Sequence, residues 1–123
     1  MAHTLMIVDD SNIIRNRIER SFSNTEIEVV ATASNGLEAV VKFKEFKPQF
    51  ITMDLTMPHM DGLECIQNIV ALNTGVSILV VSALSDKQTA LQALQYGARG
   101  FICKPFGEEE MRNALSRLIG MKK

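Results

Sequence analysis

A chain of 123 residues suits one domain built on one core. Hydrophobic residues make up 46% of it and charged residues 22%, proportions of a folded protein and not of a disordered one. The formal net charge is −1, with thirteen Lys and Arg scattered among fourteen acids, which argues against a nucleic-acid-binding module: such a module needs a basic face to displace counterions.

Short apolar runs alternate with longer amphipathic stretches five times. The first run, Leu5-Met6-Ile7-Val8, stops at Asp9-Asp10. It is too short for a signal peptide or for the ~20 apolar residues of a membrane span, so a cytoplasmic protein without membrane insertion is expected. The second run covers Ile27 to Ala31, and Asn35-x-x-Glu38 after it has the form of a capping box. The third, Phe50 to Met53, ends at Asp54. Asp61-x-x-Glu64 then opens a helix with Leu63, Ile66, Ile69 and Val70 along one stripe. The fourth, Val76 to Val81, ends at Ser82, and Ser85-x-x-Gln88 signals a helix with a narrow stripe of Ala90, Leu91 and Leu94. The fifth, Gly100 to Cys103, ends at Lys104. Glu108, Glu109 and Glu110 complement the positive end of a last helix, whose stripe is Met111, Ala114, Leu115, Leu118 and Ile119.

Runs that are apolar at nearly every position, as the first and fourth are, belong to parallel strands covered on both faces. Five such βα units predict an α/β fold: a five-stranded, doubly wound parallel sheet with five helices. One domain over residues 1–123 with no output domain is expected, since the chain stops soon after Ile119. Cys65 and Cys103 lie in no metal-binding spacing; they read as small buried side chains in a reduced compartment. His3 and His59 read as exposed residues of a terminus and a loop.

In an open parallel sheet the site lies beyond the carboxyl ends of the strands. Asp9, Asp10, Asp54, Ser82 and Lys104 all fall there. One aspartate at a strand end is commonly just a solvated loop residue; five convergent residues of complementary charge are a different matter. At ~4 Å and an effective dielectric near 20, one like-charge contact costs about 4 kcal/mol, so three carboxylates together need compensation. A cation, a lysine or a raised pKa can supply it. Oxygen-only ligands suit Mg²⁺, with Mn²⁺ as the alternative, and Lys104 adds positive charge.

These residues carry a resemblance. Val8-Asp9-Asp10-Ser11, Asn35-Gly36-Leu37-Glu38-Ala39, Met53-Asp54-Leu55-Thr56-Met57-Pro58-x-Met60-Asp61-Gly62, Ser82-Ala83 and Gly97-Ala98 through Lys104-Pro105-Phe106 occur in an order and spacing that resembles the receiver domain of bacterial two-component response regulators, most of all the stand-alone chemotaxis-type members. The resemblance spans essentially the whole chain and implies a flavodoxin-like (βα)5 fold with strand order 2-1-3-4-5. It implies that Asp54 is the phosphoacceptor for a phosphohistidine on a sensor histidine kinase. Asp10 would bind Mg²⁺ directly and Asp9 mostly through water, with Asp54 and the backbone carbonyl of Thr56 as further ligands. Lys104 would pair with Asp54 and then with the phosphoryl group, Ser82 would hydrogen-bond a phosphoryl oxygen, and Phe101 would be the switch aromatic. The Lys104-Pro105 bond would be cis.

The same resemblance implies a phosphoacceptor that catalyses its own phosphorylation and dephosphorylation, not an enzyme acting on a free metabolite. Its output would be a partner docked on the fourth helix, fifth strand and fifth helix, a face including Lys87, Ala90, Leu94 and Phe101, in chemotaxis or motility signalling. A monomer is the expected state, with an oligomer as the open alternative. Thr56 and Leu84, two positions after Asp54 and Ser82, match positions that tune phosphoryl lifetime; neither orients water, so slow self-dephosphorylation is expected. The alternative role is a phosphorelay intermediate passing the phosphoryl group to a histidine phosphotransfer protein. A flavin carrier on the same fold would need a Ser/Thr/Gly-rich loop after the first strand, where Asp9-Asp10 would repel the phosphate.

Overall fold

The computed structural model describes residues 3–55, 57, 60–72, 75–83, 85 and 87–121. Strands and helices alternate as β1 (His3–Val8), α1 (Asn12–Ser21), β2 (Ile27–Ala33), α2 (Gly36–Phe46), β3 (Phe50–Asp54), α3 (Gly62–Val70), β4 (Ser77–Ala83), α4 (Lys87–Gln95), β5 (Gly100–Lys104) and α5 (Glu108–Met121). The strands form one parallel sheet in the order β2-β1-β3-β4-β5. The expected α/β architecture is therefore the observed one. β1 and β2 reach two residues beyond the apolar runs, to His3 and to Ala33, because pairing with a neighbour extends a strand past its apolar residues.

Successive strand side chains point to opposite faces, and the two cores follow that alternation. Leu5, Ile7, Phe50, Leu79, Val81 and Ile102 pack with α1 and α5 through Ile18, Phe22, Met111 and Leu115. Met6, Val8, Ile51, Met53, Ile78 and Val80 pack on the other face against α2, α3 and α4, through Ala39, Phe43, Cys65, Ile66, Ile69, Ala90 and Ala93. Both faces are covered over β1, β3 and β4, which is why β1 and β4 read as continuous apolar runs.

The helix starts follow the capping chemistry. Asn35 Oδ1 accepts from Glu38 N at 2.8 Å while Glu38 Oε1 accepts from Ser34 N at 3.1 Å, and Asp61 Oδ1 accepts from Glu64 N at 2.9 Å. Ser11 caps α1 in the same way, Oγ accepting from Ile14 N at 3.3 Å. Of the Ser85-x-x-Gln88 box, residue 86 lies outside the described residues, and α4 begins at Lys87.

Two helix stripes and one terminal residue differ from expectation. Val70 is 38% exposed and rests near Gly97, while Cys65 takes a buried place in the α3 stripe. On α4 the buried residues are Ala90 and Ala93, and Leu91 is 48% exposed: two alanines let the helix sit close to the sheet, leaving the bulkier leucine outside. His3 is half-buried, its ring edge-on to Phe50 with centroids 5.8 Å apart, because β1 begins at this residue and carries it onto the sheet.

Thr52 lies fully buried in β3, and its Oγ1 has no hydrogen-bond partner among the described residues. A buried hydroxyl without a partner costs about 1–3 kcal/mol of desolvation. Thr52→Val keeps the shape and removes the hydroxyl, so it is expected to raise stability by about 1 kcal/mol, read as a higher urea midpoint at unchanged slope.

Candidate functional site

The same alternation that sorts the cores delivers the charged residues. Leu5 and Ile7 lead to Asp9, Phe50 and Thr52 to Asp54, and Gly100 and Ile102 to Lys104, each the next residue in phase on the α1/α5 side. At the carboxyl edge they meet. Lys104 Nζ lies 3.1 Å from Asp9 Oδ2 and 3.5 Å from Asp54 Oδ1. Asp9 is fully buried and Asp54 only 4% exposed, whereas Asp10 stands in solvent at the rim. A ligand oxygen from each of Asp9, Asp10 and Asp54 falls within 4.8 Å of the others.

Burial pulls the Lys104 ammonium towards a lower pKa, but the carboxylates of Asp54 and then Asp9 outweigh it, and the net shift is upward. The lysine therefore stays charged. Three carboxylates facing one ammonium still leave an excess of negative charge, and their donors are all oxygen. That set fits a hard divalent cation such as Mg²⁺.

Asp9 is also held from the turn that follows it. Its Oδ1 accepts from Ser11 N at 2.9 Å, and its carbonyl accepts from Arg15 Nη1 at 2.6 Å. Arg15 Nη2 also donates to Asn12 Oδ1 at 2.5 Å, which ties the turn after β1 to the first turn of α1. The sequence reading missed Arg15. Its signal was the i, i+3 spacing from Asn12 on the helix that Ser11 caps.

Ser82 comes from the opposite phase, after Ile78 and Val80, and pairs in register with Cys103. It is 1% exposed, and its Oγ finds no hydrogen-bond partner among the described residues. A buried hydroxyl near the carboxyl end of β4, one register step before the Ala83–Lys104 pair, is a donor placed where an anion could take it. Phe101, two residues before Cys103, is half-buried against the α2/α3/α4 core opposite Val80. Lys104-Pro105 is cis.

Not every expected residue is placed. Thr56, Leu84 and His59 lie outside the described residues. Ala90 is fully buried under α4 and so does not belong to an exposed face; Lys87 and Leu91 are among the exposed residues there, with Leu94 and Phe101 half-buried. Cys65 is buried as expected, and burial, reinforced by Asp61 and Glu64, pushes its thiol up to about 12. Such a thiol is unreactive near neutral pH. Cys103 is only half-buried, because β5 is an edge strand with an open side.

No described helix is long and apolar enough to cross a membrane. The profile of the response regulator receiver domain matches residues 5–116. Chemotaxis protein CheY of Listeria monocytogenes is 41% identical over 113 residues, which is 92% of this chain and 95% of that protein. Chemotaxis protein CheY of Bacillus subtilis is 38% identical over 119 residues, 97% and 99% of the two chains. Among solved structures, the CheX-CheY-BeF3-Mg+2 complex from Borrelia burgdorferi contains a chain that superposes with a TM-score of 0.90 at 30% identity, covering 95% of this chain and 89% of that one. A family match over nearly the whole length, near-full-length relatives and the shared strand order agree with the charged edge just described: this chain belongs to the response regulator receiver domain family.

Proposed function

We propose that this chain is a phosphorylation-operated binding switch in which Asp54 accepts a phosphoryl group from a phosphohistidine on a sensor histidine kinase. The observation that carries it is one buried carboxylate, Asp54, held against the Lys104 ammonium inside a cluster of acids. An Asp54 carboxylate oxygen forms the new bond to phosphorus as the bond from phosphorus to the imidazole nitrogen breaks. The electron pair stays with that nitrogen, which is then protonated from water. Asp9, Asp10 and Asp54, with the Thr56 carbonyl by resemblance, would hold Mg²⁺ or Mn²⁺, whose charge offsets that of the transferring oxygens.

Lys104 neutralises Asp54 before transfer and pairs with the phosphoryl group afterwards. Ser82 Oγ donates to a phosphoryl oxygen, and the movement this requires frees space on its side of the sheet, where Phe101 sits. Such a step biases two packings of α4, β5 and α5, and a partner reads the difference through Lys87, Leu91, Leu94 and Phe101. Chemotaxis is the setting that the names of the near-full-length relatives favour, with the chain acting in the cytoplasm. The Borrelia complex joins CheY to CheX together with BeF3 and Mg+2, which supports a cation site and a protein partner for this chain.

Incubation with acetyl phosphate and Mg²⁺ is expected to add one labile phosphoryl group, seen by intact mass, to the wild-type chain and none to Asp54→Ala. A wild type that stays unmodified would overturn the reading. The Thr56→Asn, Leu84→Glu double variant is expected to shorten the phosphoryl lifetime by roughly tenfold or more, since both side chains can orient an attacking water; an unchanged lifetime would remove slow self-dephosphorylation from the proposal.

The Lys104 pair also sets a pH dependence. Its pKa lies above the ordinary 10.5, so its stabilising contribution is complete below that value and is lost as pH rises through the higher folded-state value. Without added metal, Lys104→Met is expected to cost about 2 kcal/mol, less than breaking a fully buried pair because the lysine side chain is 27% exposed. Denaturation of both proteins should show that gap constant between about pH 8 and about pH 10 and narrowing above it.

A further inference from the structure

Asn35-Gly36 belongs to the sequence motif, yet the chemistry at Asp54 makes no use of it. Gly36 is the buried first residue of α2. A Cβ placed on it would run into the Met60 carbonyl oxygen and lie 2.6 Å from Met60 Cβ and 2.8 Å from Met60 Cγ. The helix start and Met60 therefore touch backbone to backbone, which only a residue without a side chain permits. Two residues on, a Cβ on Gly62 would strike the Asp54 carbonyl oxygen and come within 2.5 Å of Leu55 Cα. Gly62 N donates to Leu55 O at 3.0 Å, and Cys65 Sγ donates to Gly36 O at 3.6 Å.

The seat on the α2 side is anchored. Asn35 and Glu38 cap the helix start, Glu38 pairs with Lys42 at 3.5 Å, and Lys42 Nζ donates to Thr32 O at 2.6 Å on β2. The first two turns of α2 are thus tied to the end of β2, so a push between Gly36 and Met60 falls in part on the Met60 side. Met60 leads through Asp61 to Gly62, which is pressed against the Asp54 carbonyl.

We infer that Gly36 is a positioning residue for the cation site: it gives Met60 a fixed seat, and through Gly62, two residues on and pressed against the Asp54 carbonyl, it holds Asp54 at the distance from Asp9 and Asp10 that a shared cation requires. This rests on the cation site of the proposed function. Residues that orient ligands without touching the metal typically alter affinity by 10–100-fold.

Mg²⁺ alone, titrated calorimetrically, is the direct probe; the chain has no tryptophan to report binding by fluorescence. Gly36→Ala is expected to bind Mg²⁺ roughly tenfold more weakly than wild type. Met60→Ala, which leaves Gly36 intact and removes most of the side chain resting on it, is expected to lose roughly threefold. Lys44→Gly, an exposed change in the same helix that weakens α2 without approaching Met60, should stay within about twofold. Both site variants within about twofold of wild type, or Lys44→Gly losing as much as they do, would overturn the inference. If Gly36→Ala does not fold, Met60→Ala against Lys44→Gly decides the matter. Failure of the wild-type chain to bind Mg²⁺ at all would instead overturn the cation site, and the positioning role with it.

Discussion

Like charges held side by side at the edge of a dry sheet are the constraint on which the rest of this molecule turns. Asp9 and Asp54 are almost wholly removed from water, with Asp10 at the rim, and Lys104 is their shared counter-ion. Such an arrangement is costly in isolation, because each carboxylate loses hydration and feels its neighbours at low dielectric. It persists because the surrounding fold holds it by many small contacts. Ser11 N and the Arg15 guanidinium fix the turn at Asp9, and Gly62 fixes the backbone at Asp54. On the proposed function, that stored repulsion is what a bound cation would relieve before a phosphoryl group arrives.

The division of the site between two pleat phases has a consequence for signalling. Asp9, Asp54 and Lys104 continue the α1/α5 side of the sheet, and Ser82 and Phe101 continue the α2/α3/α4 side. A group bonded to Asp54 and hydrogen-bonded by Ser82 would bridge the two phases at one edge. On the proposed function, chemistry on one side of the sheet would then act on the packing of the other, through β4 and β5. Ala90 and Ala93 are small contacts under α4, so that helix is held by less buried area than α5, with Met111, Leu115 and Leu118 beneath it. The element with the lighter hold is the one next to Ser82 and Phe101.

Much of this was legible in the chain. Apolar runs ending at Asp9, Asp54, Ser82 and Lys104 identified the strands and the polar residues beyond their carboxyl ends, and parallel βα units bring those ends to one edge. The caps at Asn35 and Asp61 were readable too, because capping is chemistry among near neighbours. The stripes of α3 and α4 were read less well. Val70, Leu91 and Ala93 have ordinary helical spacing, and only the distance between helix and sheet decides which of them is covered.

By itself, then, the sequence determined the order of strands and helices, the residue types at the strand ends, and the charge those residues carry. These follow from periodicity and local chemistry, which extend over only a few residues. Tertiary structure alone decided that Asp9 is buried while Asp10 is exposed, that Arg15 turns back onto the Asp9 carbonyl, and that Gly36 meets Met60 across twenty-four positions of chain. Contacts of that kind depend on how closely packed elements approach one another, and nothing in a local pattern of residues encodes that distance.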